Sequence, residues 1–244
     1  MGTAGRRLVR VARELGSRAA ELRFGGEVSH VYNPLIYAFE SHRDYLERFG
    51  GLGASVVLLG MNPGPWGMAQ TGVPFGDVVL VREWMGISRP VDRPAREHPA
   101  RPVEGFDCPR REVSGSRLWG WAKERFGAPE NFFTSFFVLN YCPLSFMEAS
   151  GRNRTPDKLP AAERQALFEL CDQALVEMVR ALAPRWVIGV GRFAEGRARR
   201  ALGGMGLHFG AILHPSPASP AANRGWAGQV ERQLGALGID LPRR

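Results

Sequence analysis

The sequence predicts an α/β protein built on a parallel sheet in layers, and three observations lead there. Four short runs, at residues 54–59, 132–139, 185–190 and 207–213, are rich in Val, Ile, Leu or Phe and almost unbroken in hydrophobicity. Strands covered on both faces read this way. Helical patterns lie between the runs, and strands alternating with helices pair in parallel through right-handed crossovers. Finally, 244 residues at 44% apolar and 23% charged suffice to bury a full core without disulfides, as a single domain over 1–244.

Taken in chain order, the first element is an amphipathic helix over about residues 3–23, because Leu8, Val11, Leu15, Ala19 and Leu22 recur at helical spacing. The same stretch lacks the apolar centre of a secretory signal, and Glu14 and Glu21 argue against a transit peptide. The strand at 54–59 runs into a loop dense in Gly and Pro. Helices follow at 77–85, with Asp77 as N-cap, and at 116–126, where Trp119 and Trp121 read as core. After the strand at 132–139, Thr155-Pro156 and Pro160 set up a long helix over 161–182, with Pro184 beyond its end. The strand at 185–190, a helix at 193–202, the strand at 207–213 and a helix at 223–237 complete the pattern.

The net charge is +8, from 32 Lys+Arg against 24 Asp+Glu, and the only lysines are Lys123 and Lys158. An excess of arginine over acid points to a polyanionic partner such as nucleic acid. No run approaches the roughly 18–20 apolar residues of a membrane span. Cys108, Cys142 and Cys171 are far apart and odd in number, without CxxC spacing, and His98 has no partner at ligand spacing. The expectation is reduced, buried thiols, no metal, no cofactor and an intracellular location: the cytoplasm and nucleoid of a bacterium, or a eukaryotic nucleus.

In open parallel sheets the site lies beyond the carboxyl ends of the strands. Here those ends carry Gly60-Met61-Asn62, Asn140-Tyr141-Cys142, Gly191-Arg192 and His214-Pro215. Two asparagines and a histidine thus converge on one sheet edge. Each has a plain structural reading, as an Asx turn, a loop tie or a turn histidine. Each also has a chemical one. The Asn62 carbonyl oxygen can hold a water, Asn140 can read a flat amide edge bidentately, and His214, in a loop stiffened by Pro215, Pro217 and Pro220, can stabilise developing negative charge. GVGRFAE does not complete a dinucleotide fingerprint.

GMNPGPWGMAQTGVPFG (60–76), VLNYCPL and HPSPASPAANRGW resemble the motifs of the single-strand-selective monofunctional uracil-DNA glycosylases, and weaker likeness covers nearly the whole chain. The resemblance implies the uracil-DNA glycosylase superfamily fold, a three-layer α/β/α sandwich around a central parallel four-stranded sheet. It implies a monomer that acts on uracil-containing DNA, single- or double-stranded, and hydrolyses the N-glycosidic bond of deoxyuridine. 5-substituted uracils such as 5-hydroxymethyluracil and, on the breadth of bacterial relatives, xanthine would also be substrates. By the same resemblance Asn62 positions the water, His214 stabilises the departing base, Phe75 stacks on it and Asn140 reads its amide edge. Met61 and Gly64 form pocket wall, and residues 215–225 enter the duplex.

The 60–76 stretch holds no acid, and the first carboxylate is Asp77. That suits a leaving group whose anion is spread over two carbonyls, unlike the sugar alkoxide that most glycosidases expel with paired carboxylates. A held water would then suffice, with donors worth about 3–4 kcal/mol each stabilising the anion. Gly60, Gly64 and Gly67 would let the backbone come close. No lysine lies in either motif, so no lyase step is expected. Duplex access requires base flipping, with a wedge holding the gap. Here the chain departs from vertebrate members, which carry Arg-Asn after HPSP where this chain has Ala218-Ser219. Together with Pro215, Ser216 and Pro217 these form the expected insertion loop, with Arg224 nearby. Arg152, Arg154 and Arg192 are candidate phosphate clamps. Trp66 stands where relatives have phenylalanine and is expected to line the pocket or pack beside it. A catalytically silent nucleic-acid-binding module of the same fold and a nucleoside hydrolase are the alternatives.

Overall fold

The computed structural model describes residues 2–242. Helix α1 (Thr3–Glu21) buries Leu8, Val11, Leu15 and Ala19, as its spacing predicts. Then come strand β1 (His30–Tyr32) and helices α2 (Pro34–Tyr37) and α3 (Phe39–Phe49). Strand β2 (Val56–Gly60) leads through the glycine-rich loop to α4 (Met68–Thr71) and α5 (Val78–Glu83). After α6 (Val113–Phe126) and α7 (Pro129–Phe133) come β3 (Phe136–Asn140), β4 (Ser145–Met147) and β5 (Asn153–Arg154). The long α8 (Ala161–Leu182), β6 (Trp186–Val190), α9 (Arg192–Leu202), β7 (His208–Ile212) and α10 (Trp226–Ala236) close the chain.

The central sheet has four strands in the order β3-β2-β6-β7, all parallel. Every residue of β2 is buried, so both faces of the sheet are covered, the arrangement that the unbroken apolar runs predict. Gly60 pairs in register with Asn140, which brings the ends of β2 and β3 level. The pairing continues past the sheet, where the Tyr141 N–H donates to Gly60 O at 2.9 Å and the Cys142 N–H to Met61 O at 2.8 Å. Two site-bearing loops are thereby zipped together at their bases.

Three differences from the expected elements have local causes. Phe132 and Phe133 end α7 rather than begin a strand. Pro129 at the first turn starts that helix, and the strand opens only at Phe136. The two helices over residues 34–49 replace what reads in sequence as an unassigned stretch, docking Leu35, Tyr45, Leu46 and Phe49 into the core. A second, antiparallel sheet, β1-β4-β5, joins segments more than a hundred residues apart that are too short to show a period. Asp77 caps α5 by accepting the Leu80 N–H at 3.2 Å. All three cysteines are free and buried. Among the described residues no helix is long and apolar enough to cross a membrane.

Candidate active site

The carboxyl ends of β2, β3 and β7 surround a cavity of about 380 Å³ that Asn62, Phe75, Asn140 and His214 all line, with Met61 and Gly64 in its wall. Its volume falls within the usual range of small-molecule sites. Gly60 explains how three of its parts meet. A Cβ there would lie 2.5 Å from Phe75 Cε2 and still closer to Asn140 Oδ1, so only glycine lets ring and amide converge on the strand end.

Phe75 itself has φ +54°, left-handed backbone that a bulky residue adopts only under constraint. The constraint is visible. Trp119 Nε1 donates to Pro74 O at 3.2 Å, the Gly76 N–H donates to Val73 O at 2.8 Å, and α6 presses so close at Gly115 that a Cβ would collide with Phe75 O. The ring is thus fixed 6.0 Å from that of His214 at an interplanar angle of 44°.

Asn62 and His214 are each held in one orientation by a backbone hydrogen bond. Asn62 Nδ2 donates to Leu144 O at 3.1 Å, which leaves Oδ1 as its free acceptor. His214 Nδ1 accepts the Ser216 N–H at 3.1 Å. That bond requires a lone pair on Nδ1, so the neutral ring carries its proton on Nε2. Burial pushes the His214 pKa below its ordinary 6.5, favouring this neutral donor form. Asn140 is different: Nδ2 reaches only the thioether of Met68, at 3.3 Å, and Oδ1 is buried with no hydrogen-bond partner. A buried amide oxygen left unpaired costs about 1–3 kcal/mol, which a ligand offering an N–H would recover.

The cavity does contain a carboxyl group, against the expectation of an acid-free site. Glu112, at the start of α6, lines it, packed so closely over the loop that a Cβ on Gly64 would lie 2.6 Å from Glu112 Oε2. Burial raises its pKa above the ordinary 4.5, while the backbone N–H groups of Ser114 and Trp66 face the carboxyl and favour its ionised form. Its neighbour Arg111 turns away and donates to Asp77 Oδ2 at 2.6 Å, and the Ser116 hydroxyl donates to the same oxygen at 2.8 Å. Asp77 therefore anchors the start of α6 besides capping α5. Glu112 lies outside the 60–76 motif and ahead of the helix predicted at 116–126, and nothing in the sequence marks it as turned toward the loop glycines.

The residues expected to contact DNA divide. Ser216 and Pro217 line the cavity, Ala218 is exposed and Ser219 half-buried beside it, and Arg152 and Arg224 are exposed. Arg192 is exposed at the carboxyl end of β6, bonded to Glu195 at 2.8 Å. Pro215 is buried, and its carbonyl accepts from Arg117 at 3.1 Å, so its backbone is pinned at the base of the 215–219 turn. Arg154 is already engaged within the protein. Its guanidinium pairs with Glu27 and Glu148 and donates to Lys158 O at 2.9 Å, with 17% of the side chain exposed. Trp66 lies just outside the lining, its ring under the guanidinium groups of Arg101 and Arg110. Among the described residues no three His, Cys, Asp or Glu side chains cluster as metal ligands.

Comparison with known proteins places this arrangement. Residues 47–232 match the family model of the uracil DNA glycosylase superfamily. The chain is 49% identical over 227 residues to the single-strand selective monofunctional uracil DNA glycosylase of Mus musculus, covering 92% of this chain and 81% of that protein. The Bos taurus protein of the same name is 50% identical, with 92% and 84% covered. The crystal structure of wild-type Pedobacter heparinus SMUG2 superposes with a TM-score of 0.66 at 17% identity, covering 98% of both chains, which is likeness of fold. With a family model over most of its length and relatives at half identity, the chain belongs to the uracil DNA glycosylase superfamily, among its single-strand selective monofunctional members.

Proposed function

We propose that the protein is a monofunctional DNA glycosylase that hydrolyses the N-glycosidic bond of deoxyuridine, releasing uracil and leaving an abasic site for base excision repair. The observation that carries this reading is the unpaired, buried Oδ1 of Asn140, set beside Nδ2 in the same cavity as Asn62 and His214. One amide edge then offers an acceptor for the N3–H of uracil and a donor for its O4. The imide edge is unchanged in 5-substituted uracils such as 5-hydroxymethyluracil and recurs in xanthine, so these belong to the proposed substrate range.

The chemistry follows from the fixed orientations. Nε2–H of neutral His214 donates to O2 of the base as the glycosidic bond breaks and charge passes onto the ring. Asn62 Oδ1 accepts from the water whose oxygen bonds to C1′. The water's proton ends on the departing base or in solvent, so one water is consumed per uracil released. Phe75 covers a face of the extruded base. No lysine lines the cavity, so no amine is placed to capture the sugar, in keeping with a monofunctional enzyme.

The test is an oligonucleotide with a single uracil, assayed single- and double-stranded for free base and for strand breaks before and after alkali. Wild type should release uracil and break the strand only after alkali. Asn62→Ala should bind the same DNA and lose about 10²–10³-fold in single-turnover rate, the scale of losing one positioned polar group. Binding without release by wild type would favour the silent module, and release from deoxyuridine alone the nucleoside hydrolase.

A further inference from the structure

The mouth of the cavity has two rims of unlike chemistry. One is the turn over residues 215–219, which carries no charge. The other starts at Trp66, directly after the lining residues Gly64 and Pro65. The guanidinium carbons of Arg110 and Arg101 lie 4.4 and 5.1 Å from the centroid of the Trp66 ring. Arg101 Nε also donates to Gly151 O at 2.9 Å, tying the stack to the turn that bears exposed Arg152. Just beyond, Asn153 and Thr155 return to the cavity lining.

These arginines differ from others near the site in keeping their charge unpaired, although Arg101 Nε and Nη1 donate to the carbonyls of Gly151 and Ala100. Arg111, Arg154 and Arg192 are held by carboxylates. Among the described residues no carboxylate pairs with Arg101, Arg110 or Arg152, and the Arg110 side chain makes no hydrogen bond. A guanidinium lying against an indole keeps its edge N–H groups directed outward, so less rotamer freedom is lost when an oxyanion arrives. The free fork of Arg110 and the remaining Nη2 of Arg101, whose Nε and Nη1 donate to Gly151 O and Ala100 O, share one aromatic plate and, with Arg152 as a third cation, offer a row of donors to the phosphates of a nucleic-acid strand.

We propose that the Arg101–Trp66–Arg110 stack, continued by Arg152, is the track that grips the phosphate backbone of the strand carrying the extruded nucleotide. This rests on the reading of the cavity as a DNA base site. It assigns to the Trp66 rim the hold on the strand that the neutral Ala218-Ser219 turn cannot supply electrostatically, and it gives Trp66 a purpose outside the cavity.

Affinity for a uracil-free single-stranded oligonucleotide, measured by fluorescence anisotropy across a salt series, tests it without relying on catalysis. Arg110→Ala should lower the slope of log K against log salt by roughly 0.7, the value for one lost single-strand phosphate contact, and Arg110→Ala/Arg152→Ala by roughly twice that. Trp66→Leu keeps both charges and should weaken binding severalfold with the slope nearly unchanged. These arginines are at the surface, so the variants should fold, and circular dichroism verifies this. Wild-type slope and affinity in the double variant would overturn the track, as would equal competition by an acidic peptide of matched charge. If wild type binds with this slope but never releases uracil, the glycosylase reading fails and the track stands. If it releases uracil while the slope is indifferent to the variants, the track fails and the glycosylase reading stands.

Discussion

The loops that face each other across the cavity are held by different means. The one after β2 is held by closeness: Gly60, Gly64 and Gly67 stand where a Cβ would strike Phe75, Asn140 or Glu112, and Phe75 is locked in left-handed backbone under α6. The one after β7 is held by polar pins. Arg117 donates to the carbonyls of Pro215 and Ser216 at 3.1 and 3.2 Å and to Asn223 Oδ1 at 2.7 Å, and Trp226 Nε1 donates to Leu213 O at 2.7 Å. Close packing tolerates little intrusion, whereas hydrogen bonds can be removed singly and answered by water. The first loop should therefore fail abruptly under substitution and the second by degrees.

Gly60→Ala is the harshest test of that contrast. One added methyl must displace Phe75 or the Asn140 amide. Uracil release should fall about 10²-fold, the scale of a misplacement near 1 Å, and stability by about 1–3 kcal/mol for overpacking. Single-turnover assays and thermal melting measure the two. A near-normal rate would show that ring and amide need not converge on the strand end.

Arg117→Ala probes the opposite loop and should do less. It frees two carbonyls and Asn223 while leaving the Ser216 N–H on His214, so the turn loosens without unfolding. The expected loss is about tenfold in single-turnover rate, ~1.4 kcal/mol of barrier. Partial recovery in Arg117→Lys, which restores one cationic donor, would separate loop pinning from a general loss of stability. A loss as large as that of Gly60→Ala would erase the distinction between the loops.

The same contrast explains what can be read from sequence. Asn140 and His214 directly follow apolar runs and Asn62 comes within three residues of one, and the rule that parallel sheets build sites at their carboxyl ends needs only the order of those runs. The tight loop is likewise legible, because its glycines are local. Glu112 is not, since its place depends on Asp77 drawing Arg111 and Ser116 together across more than thirty residues. Nor can arginine content say which cations are spent. Arg154 meets Glu27 and Glu148 through the small β1-β4-β5 sheet, whose strands are too short to announce themselves. Phe132 and Phe133 mislead because aromatic residues suit strand and buried helix end equally, and Pro129 decides for the helix.

The smallest expected effect bears on how the two loops titrate. Burial lowers the pKa of His214 below 6.5 and raises that of Glu112 above 4.5, so the two groups move toward each other. Both active forms are the deprotonated ones. Below its pKa His214 gains an Nδ1–H that opposes the Ser216 N–H, and protonated Glu112 is a weaker acceptor for the Trp66 and Ser114 N–H groups that steady the first loop. The other acid that acts on Glu112 is Asp77, whose charge adds to the rise and which is already tied to Arg111. Activity should therefore persist as pH falls through 6.5 and then drop with the steepness of two protons. Glu112→Gln keeps a carbonyl acceptor but cannot titrate, so its rate at neutral pH should fall only severalfold while the acid limb relaxes to a single proton. The logarithmic slope of kcat/KM between about pH 4 and 7 reads this directly. An unchanged slope would mean that Glu112 shapes the loop without titrating in the working range, and that the acid limb belongs to the His214 side alone.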